Sequence, residues 1–296
     1  KYILIILVIF STFTVKGQQD PHYTQYMYNM SIVNPAYAGS KEGLVLTILG
    51  RSQWSGIKDA PRTYTFNVHA PIGENLGLGL SVIDDKAGPL SEQYVFADFS
   101  YTLPVNNKSK LAFGVKAGAT FLSVPLSSLN TLSSDDIAFQ DNLNEINPNF
   151  GFGFYYYSNR GYLGLSTPNL LKTIHLESGG GIIEETHYFF TGGYVFELNS
   201  NIKLKPSFLA KAAINAPISI EYSANFLFYE NVEFGLSYRY DDSISAIFGI
   251  NITEKVRIGY AYDHSFTNLA NFNSGSHEIL VTFSLGRKKS KFLKFF

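Results

Sequence analysis

The sequence predicts an all-β protein, a transmembrane antiparallel up-and-down β-barrel of about fourteen strands with an N-terminal plug or lid. Three observations predict it. From residue 43 to residue 286, segments of roughly ten residues alternate strictly between apolar and polar side chains. The connections between them alternate short and long. Tyr and Phe number 20 and 25 against a single Trp, which suits a chain whose outside crosses a membrane–water boundary.

Residues 1–17 come first. Lys1 leads an apolar run, Ile3 to Phe10, that fades into Lys16–Gly17. A basic start, a short apolar core and a small residue before Gln18 read as a secretory signal peptide. The run is too short for a comfortable transmembrane helix, and no later stretch is long and apolar enough for one. Residues 18–42, QQDPHYTQYMYNMSIVNPAYAGSKE, do not alternate. Asn34-Pro35 and Ala38-Gly39 are turn signals, and 24–32 read as a short helix. This segment is expected on the periplasmic side, before the barrel, as a plug, a lid or a docking element. The barrel occupies 43–286, and a basic tail, 287–296, is expected to be a solvated extension.

The strands fall near 43–52, 62–70, 76–83, 92–103, 110–122, 148–158, 160–168, 186–197, 201–213, 217–229, 231–241, 243–252, 255–264 and 276–286. In 217–229, Ile218, Ile220, Tyr222, Ala224, Phe226 and Phe228 share one face, and Ser219, Glu221, Ser223 and Asn225 the other. Tyrosines gather at one end of such apolar faces, as an interfacial girdle requires. Lys116, Lys203, Lys205, Lys211, Glu221, Glu233, Arg239 and Arg257 all fall inward on this register. A charge facing mid-bilayer would cost up to about 4 kcal/mol, so their shared side supports it. Gly77, Gly79, Gly151 and Gly153 also face inward, leaving room for a neighbour or a plug, or marking tight bends.

Connections such as Pro71–Asn75, Asn159–Arg160 and Glu230–Asn231 are short. Gln53–Pro61, Asp84–Ser91, Ser123–Asn147, Leu170–Glu185 and His264–Gly275 are longer, although two connections in the long register, 214–216 and 241–243, are brief. Outer-membrane barrels follow this rule, with short periplasmic turns and longer external loops. A soluble sandwich has Greek-key crossings instead. Closure removes both sheet edges, whose unpaired backbone groups would each cost several kcal/mol in lipid.

Little in the chain points to catalysis or cofactors. There is no Cys, so no disulfide, thiolate metal site or Cys nucleophile is available. Net charge is -1, which gives no pull towards nucleic acid. The six His form no metal-ligand motif. His69 and His187 are expected as hydrogen-bonded lumen residues. No GxSxG or GxGxxG is present. Asp135, Asp136 and Asp141 lack calcium-loop spacing, and Gly179–Gly181 with Glu184 and Glu185 reads as a flexible loop. A Ser/His hydrolase built in space alone has no motif to support it.

Asp20-Pro21, Tyr23-Thr24-Gln25-Tyr26-Met27, Asn34-Pro35-Ala36-Tyr37-Ala38-Gly39, Arg51-Ser52-Gln53-Trp54, Pro61 and His277-Glu278-Ile279 stand out. In these the chain resembles the PorP/SprF family of Bacteroidetes outer-membrane proteins, linked to type IX secretion and gliding motility. The tail Arg287-Lys288-Lys289-Ser290-Lys291 before Phe295-Phe296 departs from the family's ending on an aromatic strand. The resemblance implies a non-enzymatic outer-membrane barrel that supports secretion and surface attachment of large adhesins. Its partners would be a secreted adhesin with a type IX sorting domain outside, periplasmic secretion or motor components inside, and the bilayer around it. Tyr26, Asn34, Pro35 and Tyr37 are the candidates for plug or inner contact. Trp54 is the candidate outer anchor or interfacial belt residue. The competing expectation is a plugged channel for a small hydrophobic molecule.

Overall fold

The computed structural model describes residues 21–128, 142–171, 173–175, 182–214 and 216–286. Residues 1–20 and 287–296, where the signal peptide and basic tail are expected, lie outside them, as do Asp135, Asp136, Asp141 and Gly179–Gly181. No helix of the described residues is long and apolar enough to cross a membrane.

Among the described residues fourteen strands form the barrel: β1 (Leu44–Ser52), β2 (Arg62–Pro71), β3 (Leu76–Ala87), β4 (Leu90–Asn106), β5 (Ser109–Val124), β6 (Leu143–Ser158) and β7 (Gly161–Thr167). They continue with β8 (His187–Tyr194), β9 (Ile202–Ala213), β10 (Ser219–Phe228), β11 (Val232–Arg239), β12 (Ser243–Thr253), β13 (Val256–Ser265) and β14 (Ser276–Leu285). Each pairs antiparallel with its neighbour in sequence, and β1 pairs with β14, so the sheet closes on itself. A short strand, Phe196–Glu197, adds to β9, and Thr173–His175 pairs with Ile182–Glu184 as a separate hairpin.

Burial alternates along the strands, as in β10 and β11. The apolar faces point out of the cylinder: Phe234 is 53% and Leu236 61% exposed. The polar faces point in, where Lys116, Lys205, Lys211, Glu221, Glu233 and Arg239 are buried. Both are what a barrel in lipid needs, and a sandwich core would bury the opposite faces. Lys203 also falls on the inward side, opposite the buried Leu227. It sits at the short-turn rim, paired with the half-exposed Glu230.

Two expectations are corrected. The Asp84–Ser91 stretch is a tight hairpin, with β3 and β4 running on to Ala87 and from Leu90. Gly88, at φ 58, makes the turn. Acidic residues in this stretch mimic a loop in the sequence, but here they belong to strands that continue as paired β-structure. The tyrosines form belts at both ends rather than one. Tyr64, Tyr188 and Tyr238 stand outward towards the longer loops, while Tyr101, Tyr156 and Tyr194 stand outward towards the short turns.

Candidate functional site in the barrel interior

Between residues 23 and 38 the side chains are buried against the inward faces of the strands, with Tyr28 and Ile32 half-buried. Tyr26–Tyr28, Met30–Val33 and Pro35–Tyr37 form three short helical turns where one helix was expected. The segment begins near the longer loops, where Thr24 and Gln25 meet Arg51 and Glu278. It leaves at the short turns, where Gly39 donates its N–H to His69 Nδ1 at 3.3 Å. It therefore occupies the interior rather than sitting ahead of the barrel mouth.

Two polar clusters grip it. At the first, Arg51 of β1 pairs with Asp263 of β13 at 2.6 Å and Glu278 of β14 at 3.2 Å. Glu278 accepts the backbone N–H groups of Thr24 and Gln25 at 3.0 and 2.8 Å. The Thr24 hydroxyl donates to Asp263 at 2.8 Å. A buried guanidinium between two carboxylates needs further partners, and the segment supplies one: the Thr24 hydroxyl accepts from Arg51 Nη1 at 3.2 Å. His22 lies close by. Burial first, then the charges of Lys211, Arg239, Arg51 and His187, hold its imidazole well below its ordinary range, so it is neutral at physiological pH.

At the second cluster the Tyr28 ring lies between Lys205 and Arg257, each cation 4.0 Å from its centroid. Its hydroxyl accepts from Lys205 Nζ at 2.7 Å and donates to Glu233. Arg257 pairs with Glu233 at 2.7 Å. Burial and the Glu233 carboxylate push the phenol well above its ordinary range, so it remains a donor.

The Asn34–Gly39 run fits a groove of glycines. A Cβ at Gly114 would strike the Ala36 backbone, one at Gly77 the Ala38 carbonyl, and one at Gly153 the Asn34 side chain. Asn34 Nδ2 donates to the Phe154 carbonyl at 2.9 Å, and its Oδ1 accepts from Ala36 N–H at 2.9 Å. Tyr37 packs edge-on against His69 and Tyr155. The structure thus brings Tyr26, Asn34, Pro35 and Tyr37 together in the interior. Trp54 is elsewhere, half-buried at the long-loop end, where its backbone N–H donates to Ser276 Oγ at 3.1 Å. Tyr28 and the Arg51–Asp263–Glu278 grouping were not singled out as site residues by sequence. Among the described residues no group of three or more His, Asp or Glu is placed to hold a metal.

The family model described as type IX secretion system membrane protein PorP/SprF matches residues 15–283. The chain belongs to the PorP/SprF family. Its family and fold are those of a secretion or transport membrane protein of the outer membrane. No curated protein matches the chain. Among solved structures, this PorP/SprF barrel is similar to the CymD monoaromatic hydrocarbon channel at TM-score 0.54 and 12% identity, over 87% of this chain and 93% of that one. A Pseudomonas aeruginosa FadL homologue is similar at TM-score 0.48 and 12% identity, over 91% and 96% of the two chains. Likeness at this identity is one of fold alone.

Proposed function

We propose that this PorP/SprF barrel is a non-enzymatic part of type IX secretion and gliding, with residues 21–40 acting as its plug. The long-loop end would face outward and hold a large secreted adhesin through its type IX sorting domain. The short-turn end would face the periplasmic machinery. The observation that carries the reading is the filled interior. A lumen clamped at Arg51 and at Tyr28 has little room for solute flow and much reason to be rigid, which suits a docking platform. The half-buried Trp54 stands at the outer end as the candidate cargo contact. The competing expectation, uptake of a small hydrophobic molecule, matches neighbours too distant to carry more than fold.

The test is mild extraction from the native envelope with identification of co-purifying proteins, followed by planar-bilayer recording of the purified barrel. Capture of an adhesin bearing the sorting domain, reduced by Trp54→Ala, together with an electrically silent barrel is expected. Steady ionic conductance without a captured surface protein would overturn the reading.

A further inference from the structure

The loop from β13 to β14 carries a short 3₁₀ helix, Asn268–Phe272, whose surface is divided by residue type. Side chains three apart eclipse one another in such a helix, so it presents three ridges. Thr267, Ala270 and Asn273 fall on one, and all three are half-buried, so this ridge is turned to the protein. Asn268 and Asn271 fall on the second, polar and exposed. Leu269 and Phe272 fall on the third, apolar and 39% and 74% exposed. Phe266, three residues before Leu269, is 57% exposed. Asn273 fixes the turn: its Nδ2 donates to the Leu269 carbonyl, and its Oδ1 accepts the Gly275 N–H at 2.7 Å.

This apolar ridge begins where the lipid-facing wall ends. Tyr260, Tyr262 and His264 are the outward residues of β13, and Phe266 is the next of that parity. The Phe266 ring meets His264 edge-on, with centroids 5.9 Å apart. His264 is in ladder register with Ile244 and, through it, with Tyr238 of the tyrosine belt. Phe266 therefore stands two residues, about 7 Å, beyond the belt. Its N–H donates to the Asp242 carbonyl at 2.8 Å, which holds it beside the neighbouring turn. The loop also returns along the outward side. The Tyr262 hydroxyl donates to the Ser274 carbonyl at 3.1 Å, and a Cβ on Gly275 would strike the Tyr262 ring. A row of large apolar side chains that continues a lipid-facing wall, with a polar ridge beside it, is the pattern of an element lying in a membrane interface.

We propose that the β13–β14 loop is a membrane-surface anchor, with Phe266, Leu269 and Phe272 seated among the lipids of the leaflet at the long-loop end and Asn268 and Asn271 turned to water. The occupant is lipid because the ridge is continuous with the surface that the barrel already gives to the bilayer. The anchor also reaches the neighbouring loop. Ser55 donates its N–H to the Gly275 carbonyl at 2.8 Å, and Ser274 donates its own to the Ser55 carbonyl at 2.7 Å. The loop that carries Trp54 is thereby tied to the membrane surface. This goes beyond the secretion role and does not depend on it.

The chain has no Cys, so one introduced thiol carries one dye. Phe272→Cys and Asn271→Cys, each labelled with nitrobenzoxadiazole, would be placed in vesicles of phosphatidylcholine and phosphatidylglycerol. The lipids carry a quenching nitroxide either near the headgroup or near the chain end. The outward-facing Leu236→Cys and the exposed loop variant Lys58→Cys give the lipid and water references. The headgroup nitroxide should quench the dye at Phe272→Cys at least threefold more than at Asn271→Cys, and more than the chain-end nitroxide does. Leu269→Cys gives the same reading if Phe272→Cys does not fold, as judged by heat-dependent gel migration. A smaller ratio, or quenching no greater than at Lys58→Cys, overturns the proposal and leaves the ridge to a protein partner. Stronger quenching by the chain-end nitroxide overturns it too, because the loop would then lie in the bilayer core.

Discussion

Arg51 holds two carboxylates from different strands, and both carboxylates hold the interior segment. Removing the cation alone leaves Asp263 and Glu278 buried and opposed. Arg51→Met should lower stability by about 3–5 kcal/mol, seen as a lower unfolding temperature in detergent micelles. Arg51→Lys should recover only part of it, because an ammonium cannot span two carboxylates with a planar fork. Tyr28 offers a finer test. Tyr28→Phe keeps the ring between its two cations but leaves Glu233 and Lys205 without the hydroxyl, a loss of about 1–3 kcal/mol. Tyr28→Leu should lose up to about 2 kcal/mol more, since the cation–π contacts go as well. An equal loss from both substitutions would show that the ring contributes nothing. At this scale the sequence was poorly legible. Tyr28 draws its partners from β9, β10, β11 and β13, and no local spacing announces a site assembled from four strands. Arg51 and Glu278 stood out only as members of the family resemblance.

At the scale of elements, the strands were easy to read. Apolar–polar alternation follows directly from which face meets lipid. The inward glycines left two readings open, and their contacts decide between them. Gly77 and Gly114 are small because the Asn34–Gly39 backbone runs against them, and Gly153 because the Asn34 side chain does. Gly114→Val should therefore force this run off the wall, making it sensitive to protease added to the folded protein. Gly73→Ala has nothing within 4 Å of the new Cβ and should leave protection unchanged. If both variants stay equally protected, the groove is not what positions the segment. Where the reading missed, charge misled it. Asp84, Asp85 and Lys86 resemble a loop, but past the apolar belt a strand can carry charge on either face and still pair.

For the molecule as a whole, closure was legible because connection lengths report up-and-down order. The path of residues 21–40 was not, since nothing in a non-alternating stretch says whether it lies beside a cylinder or within it. Deleting residues 22–39 should turn a silent barrel into one with steady single-channel conductance in planar bilayers. Continued silence would mean that the wall itself, or its loops, closes the passage. The clamp at Arg51 has a consequence for biogenesis. It draws on β1 and β14, which meet at the final seam, and on β13 beside them, while gripping Thr24 and Gln25. A filling held by the earliest and latest parts of the sheet at once has to be in position before the seam is sewn. The cylinder is cast around its own core, and whatever machinery inserts it must admit a nascent sheet that is already occupied.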